Sequence, residues 1–182
     1  DLSVIREMAW CSADFVGMPE TRMVGKKQPN AWGFHDFLGN VSEFCLDHYW
    51  NYESYVGRTM MNWISLDPCG GDRMVRGGYY EDDPGVVTST LRYATSEDEV
   101  EPGGGLRVVL SEEFPSIRSV LDETGKAPIK IESLGLVLHW IPSGEFMMGE
   151  PSPDPPRGPD VFPVTPVLLT SGFWMATTEI TE

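Results

Sequence analysis

The apolar residues of this chain fall in short runs bounded by turn residues. The densest run is Gln28 to Phe44, where Trp32, Phe34, Phe37, Leu38, Val41 and Phe44 need a core. Pro29-Asn30 and Gly39-Asn40 mark turns on either side, because Pro fixes φ and Gly and Asn tolerate left-handed geometry. The stretch therefore predicts loop and short strand pinned to a hydrophobic centre, not a long helix. Upstream, Leu2 to Trp10 reads as the tail of a helix, and Asp14 to Lys27 as polar and irregular. Downstream, Val41 to Trp50 alternates loosely, with Phe44 and Leu46 opposite Glu43, Cys45 and Asp47, as a half-buried strand would. Tyr49, Trp50, Tyr52 and Tyr55 follow as an aromatic cluster. Arg73 to Tyr80 carries paired glycines after a short strand, a pattern of close backbone approach or a bulge. Acidic loops flank a short ordered piece, Leu91 to Tyr93. Gly105 to Leu110 then reads as a buried strand.

The character changes after Leu110. Ser111 to Ser133 holds one short helix candidate, Ile117 to Glu123, a Gly125-Lys126-Ala127-Pro128 break and a weak strand. Leu136 to Pro142 is a strand, Ser143-Gly144 turns it, and Glu145 to Gly149 is expected to return as its hairpin partner. Glu150 to Pro166 has too many prolines for a helix. Val167 to Thr170 and Phe173 to Ala176 are further strand candidates.

Composition sharpens this. The 182 residues allow one ordinary domain with a real core, and 41% hydrophobic with 11% aromatic content says globular. With 19 glycines and 15 prolines the chain is rich in turns. A net charge of −15 argues against nucleic acid, whose phosphates need clustered Lys and Arg, and fits cation binding. No run approaches the ~18 consecutive apolar residues of a membrane span. The first residues lack the basic and long apolar regions of a signal peptide, so the compartment stays open, an extracytoplasmic one included. Cys11, Cys45 and Cys69 have no CxxC spacing, which excludes a disulfide scaffold and a zinc ribbon but not one bridge. Asn40 and Glu43 put an amide oxygen and a carboxylate within one turn of chain, and with intervening carbonyls that suits calcium.

The motifs resemble a known family. Pro29 to Phe44 is similar to PNAxGLYDMxGNVWEW, Arg73 to Tyr79 to RVxRGGSW, and Arg92 with Gly105-Leu106-Arg107-Val108-Val109 to a closing R…GFRVV. These are signatures of the formylglycine-generating enzyme, or sulfatase-modifying factor, family. The resemblance implies an α+β, loop-rich variant of the C-type lectin fold with little regular secondary structure. Ile141 to Gly149 and Phe173 to Thr181 resemble the family's opening, IPxGxFxMG and FWxxxTEVT, yet here they follow its ending. The expected organisation is the C-terminal half of such a domain at 1–110, a linker at 111–133, and the N-terminal portion of a second or circularly permuted domain at 134–182. A piece of a tandem-repeat protein is favoured over a permutant or an incomplete chain. The missing middle is expected from another copy of the domain or another chain, since either half alone would expose strand edges.

In the family's copper-dependent oxidases two cysteines just before the Arg92 equivalent hold Cu(I), a soft ion that selects thiolates. The matching stretch, Pro84 to Leu91, has none, so no copper is expected. His35, His48 and His139 lack HxxxH or HxE spacing, and no nucleophile elbow is present. The resemblance places calcium at Asn40, the Val41 carbonyl and Glu43; the competing reading has Asn40 capping a turn and Glu43 paired with an arginine. Arg76, Gly77, Gly78, Arg92 and Arg107 match structural positions, the arginines tying loops to the core by forked hydrogen bonds. Trp50, Tyr79 and Tyr80 could line a ligand groove. The expectation is a non-catalytic, calcium-stabilised module for binding or assembly. The alternative is a metal-dependent oxidoreductase of the same family.

Overall fold

A computed structural model of the chain describes residues 2–49, 59–61, 72–96, 98, 102–111, 126–149 and 164–181. Strands dominate. Helix is confined, among the described residues, to α1 (Leu2–Met8) and two single 3-10 turns, Ser12–Asp14 and Glu132–Leu134. No helix there is long and apolar enough to cross a membrane.

The strands form three small sheets. The first contains β1 (Ser42–His48), β3 (Asp72–Arg76), β4 (Arg92–Ser96) and β5 (Gly104–Gly105), in the order β4-β3-β1-β5. The second contains β2 (Met60–Met61), β9 (Gly144–Met148) and β10 (Thr165–Leu169), with β10 in the middle. The third contains β6 (Val109–Ser111), β7 (Ile129–Ile131), β8 (Leu136–Ile141) and β11 (Phe173–Ala176), in the order β6-β11-β8-β7. The core is divided accordingly. Leu136, Leu138, Trp174 and Ala176 are buried together, with Val108, Leu110 and Trp140 packed on them. Trp140 and Trp174 meet edge to face, ring centroids 4.2 Å apart. Smaller clusters join Met60 to Val167, and Ala9 and Cys11 to Val87.

The α1 helix and strands β1, β3, β4, β8, β10 and β11 lie where the apolar pattern put them. Three details differ. The Gly105–Leu110 run is two strands, not one: β5 pairs with β1, β6 pairs with β11, and the chain bends between them. The bend turns Arg107 inward, where it is 9% exposed. Along β1 the expected alternation fails at Leu46, which is 64% exposed, because the register against β3 shifts between Phe44 and His48. A bulge there switches the face each side chain takes. Finally, β9 is no hairpin partner of β8. It pairs with β10, while β8 is flanked by β7 and β11. Pro142 has no N–H to continue the β8 ladder, and the Trp140–Trp174 contact gives the neighbouring place to β11. The expected helix at Ile117–Glu123 and the aromatics Trp50, Tyr52, Tyr55 and Trp63 lie outside the described residues.

Backbone meets backbone closely at Gly39. Its φ is +75°, and a Cβ there would stand 2.1 Å from the Trp10 carbonyl oxygen. Gly135 has a similar φ of +64° with nothing within 4 Å. Gly39→Ala is therefore expected to cost about 3 kcal/mol or more, and Gly135→Ala only about 1 kcal/mol, the conformational part alone. Thermal denaturation of both variants checks this; equal losses would remove the steric claim.

Candidate functional site

The site builds outward from the Gly39-Asn40 turn. Asn40 has a φ of +61° and is fully buried. Asn is one of the few side-chain-bearing residues that accept this geometry. Its backbone N–H donates to the Trp10 carbonyl at 2.8 Å, and its carbonyl accepts from the Tyr80 N–H at 3.1 Å. Its side-chain oxygen accepts from the Arg22 N–H at 2.8 Å, while its amide nitrogen donates to the Arg22 carbonyl at 3.0 Å and to Glu179 Oε1 at 2.5 Å. The side chain thus imitates a strand neighbour for the 20–25 loop and also reaches the far end of the chain.

Beside it stands Arg107. The guanidinium donates to both oxygens of Glu43, with Nη2 to Oε1 at 2.6 Å and Nε to Oε2 at 3.1 Å. It also donates to the carbonyls of His35 at 2.9 Å and Ala176 at 3.1 Å, and its face lies 4.3 Å over the Phe37 ring. A planar fork can serve all these partners at once; a lysine could not.

Two more carboxylates are sealed in. Asp36, at a φ of +54°, accepts from the Gly25 N–H at 2.7 Å through Oδ2. Asp36 Oδ1 and Glu179 Oε2 have no hydrogen-bond partner among the described residues. Of the three acids, Glu43 holds the Arg107 guanidinium directly. Burial pushes the Glu179 carboxyl up to about 9, with Asp36 and Glu43 adding repulsion against the Asn40 hydrogen bond and Arg107. Burial also raises Asp36, the Gly25 N–H opposing it, and raises Glu43 against the pull of Arg107. Glu179 is thus neutral at pH 7.

The remaining expected residues are placed as follows. Arg76 donates to the carbonyls of Ser89, Thr90 and Leu91, so it ties the 89–91 loop to β3. Gly77 and Gly78 both have positive φ, and a Cβ at Gly78 would meet Asp82 Oδ2 at 2.9 Å. Arg92 is 5% exposed, its guanidinium 5.1 Å over the Tyr49 ring. Tyr79 and Tyr80 meet edge to face, and Tyr80 is buried against Phe15; Trp50 lies outside the described residues. Asn40 and Val41 are buried, and Glu43 is half-buried in its pair with Arg107. A calcium ion there would have to take its acceptors from Arg22 and Arg107.

The stretch Pro84 to Leu91, without a thiol, packs its buried Val87 on Ala9 and Cys11. Cys11 and Cys45 are free. Burial raises both thiols, Cys45 to about 11, and Asp14 raises Cys11 further by accepting its proton at 3.4 Å. Cu(I) selects thiolates, and both cysteines lie outside the 84–91 stretch where the resemblance would place them. Cys69 lies outside the described residues.

Residues 9–112, more than half of the chain, match the model of the Sulfatase-modifying factor enzyme 1-like domain. The chain belongs to this sulfatase-modifying-factor family. No curated protein matches it. Among solved structures it resembles Treponema denticola variable protein 1, with 25% identity and a TM-score of 0.50 over 57% of this chain. The match covers 36% of that protein, so this chain spans about a third of its relative. The strand-dominated fold with curled sheets is that of the family. Outside the matched region, residues 129–181 pack back onto the sulfatase-modifying-factor unit through β6–β11 pairing, the Leu106–Ile180 bridge and Asn40–Glu179.

Asp36 and Glu179 were not singled out by sequence. The available signals were the place of Asp36 between Phe34 and Phe37 and that of Glu179 within the run that resembles FWxxxTEVT.

An acid raised in the folded state keeps its proton where the unfolded chain has lost it. Stability should therefore fall as pH rises from about 4.5 toward about 9. Asp36 and Glu43 act with the same sign. The slope approaches about 1.4 kcal/mol per pH unit at most, so the melting temperature should drop by about 4 °C or more from pH 6 to pH 8. Glu179→Gln, which keeps an acceptor for Asn40, should at least halve that drop. An unchanged profile in the variant would assign the pH dependence elsewhere.

Proposed function

We propose that the chain is a non-catalytic module of the sulfatase-modifying-factor family, of α+β, C-type-lectin-like design, that works by binding or assembly within a larger tandem or multi-chain protein. The observation that carries this is the Pro84–Leu91 stretch. Where the family's copper oxidases resemble one another in a cysteine pair, this chain has Val87, Thr88, Ser89 and Thr90. A hydroxyl cannot replace a thiolate for Cu(I). The buried polar groups around Asn40 and Arg107 serve cohesion in this account rather than turnover.

Metal analysis of the purified chain, with oxygen uptake in the presence of a thiol peptide, tests the proposal. No stoichiometric copper or iron and no uptake above buffer are expected. Stoichiometric copper or iron with oxygen uptake would replace the module by an oxidoreductase of the family.

Calcium at Asn40, Val41 and Glu43 belongs to the proposal in one form: the ion competes with Arg22 and Arg107 for acceptors they already hold. Glu43→Ala should then lower the melting temperature by several degrees more in calcium than in chelator. Equal losses in both would leave Glu43 with its Arg107 pair alone.

A further inference from the structure

Each of the three sheets ends in edge strands, and one of these lies open. Strand β9 closes the order β2-β10-β9, with β10 on one side and no neighbour on the other among the described residues. Its burial differs from that of β4, the other five-residue edge. Gly144 to Met147 are all exposed and Met148 is half-buried, whereas β4 is buried or half-buried throughout. Natural sheets guard such edges with Lys, with Pro or by keeping the strand very short. The edge strand β7, three residues long with Lys130 at its centre, follows that rule. β9 contains neither Lys nor Pro, and carries Phe146 at 48% and Met147 at 59% exposure.

Pro166 fixes which backbone groups this edge offers. It stands opposite Met147 in the β9–β10 register. A proline has no N–H, so it cannot sit in a pair that exchanges both ladder bonds. Pro166–Met147 and Leu168–Glu145 are therefore the non-hydrogen-bonded pairs, and Val167–Phe146 is a hydrogen-bonded one. It follows that the N–H and C=O of both Glu145 and Met147 point away from β10, toward the open side. The side chains sort by face. Phe146 lies in the row of Val167 and Met60, a small buried cluster that Met148 also joins. Glu145 lies on the opposite face, in the row of Leu168 and the exposed Met61, with Met147 beside it.

Charge selects among the strands that fit this edge. Glu145 is the one charged residue of β2, β9 and β10. The residue after Gly149 is another acid, Glu150, and the chain as a whole carries −15. A second copy would bring the same acid and the same −15 to the edge. An incoming strand with a cation opposite Glu145 instead gains a cross-strand ion pair, and the aliphatic stem of that cation covers Met147. An apolar residue opposite Phe146 extends the Met60–Val167 cluster.

We propose that the open edge of β9 is a docking site for an extended segment of a cationic partner protein, alternating Lys or Arg with apolar residues, which joins the three-stranded sheet as its fourth strand. This rests on the reading of the chain as a binding module and gives the partner of that module a chemistry.

The probe is a dye-labelled peptide of alternating Lys and Val, with its Glu–Val counterpart as control, titrated by fluorescence anisotropy with the full chain. The Lys–Val peptide should saturate, bind about ten-fold more tightly than the Glu–Val peptide, and weaken as salt rises. Met147→Pro removes an outward N–H without removing a β9–β10 bond. It should lower the Lys–Val affinity about ten-fold while the melting temperature stays within about 3 °C of the parent. Glu145→Lys should close the gap between the two peptides, and keeps the test decisive where the proline variant fails to fold. A Lys–Val affinity indifferent to the substitutions would assign binding to the acidic surface at large and overturn the proposal. The absence of saturable binding would overturn it too. So would a dimer of the chain that either substitution dissolves, since a second copy would then be the occupant. Each of these outcomes strikes the β9 site alone. Stoichiometric copper with oxygen uptake would strike the module reading whatever the peptides do.

Discussion

Everything in this chain converges on a residue forced into a left-handed turn with no water to satisfy it. Asn40 is fully buried, and an unpaired amide there would cost about 1–3 kcal/mol per group. Four separate segments meet its needs: Trp10, Arg22, Tyr80 and Glu179. The preceding glycine exists for the same reason, since Trp10 occupies the space a side chain would take. In a protein with so little helix and such short strands, this turn does what a long element does elsewhere. It brings distant loops to one point and leaves none of its own polar atoms idle.

Around that point the charges do not balance. Arg107 is satisfied by Glu43, two backbone carbonyls and the Phe37 face. Asp36 and Glu179 have no cation of their own beside them among the described residues. Two effects compete for Glu179. Hydrogen bonding from Asn40 favours the carboxylate, and removal from water disfavours it. Desolvation of a buried ion costs several kcal/mol, whereas one hydrogen bond to a charged group returns about 1.5–3 kcal/mol. Desolvation wins, so the acid is carried into the interior as a neutral group. A protonated Glu179 adds no charge to its repulsion with Asp36 and Glu43.

Much of this was legible in the sequence. The turn dipeptide Gly39-Asn40, the glycine pair at 77–78 and the arginines at 76 and 107 are local signals, since each residue type answers a local backbone or hydrogen-bonding demand. The unreadable parts were those decided by tertiary competition. Leu46 faces solvent because a register shift, invisible in a period-two pattern, intervenes. The strand after Ile141 pairs with β10 rather than β8, because Trp174 offers the better apolar neighbour to Trp140. Asp36 and Glu179 carried no local sign of burial. Their burial depends on segments 139 residues apart in the case of Asn40 and Glu179, a distance no local window spans.

That separation bears on the order of the chain. The motif that resembles the family's opening comes last, yet its contacts fall on the unit that resembles the family's ending. Side-chain packing and hydrogen bonds depend on where atoms are, not on the order in which the chain visits them. Loop closure costs grow only as the logarithm of loop length, so moving a connection from one place to another changes the free energy little. What must be kept is the set of surfaces that fit: Trp174 over Leu110, Ile180 against Leu106, Glu179 beneath Asn40. A rearranged connection can therefore preserve the scaffold while freeing its joined ends.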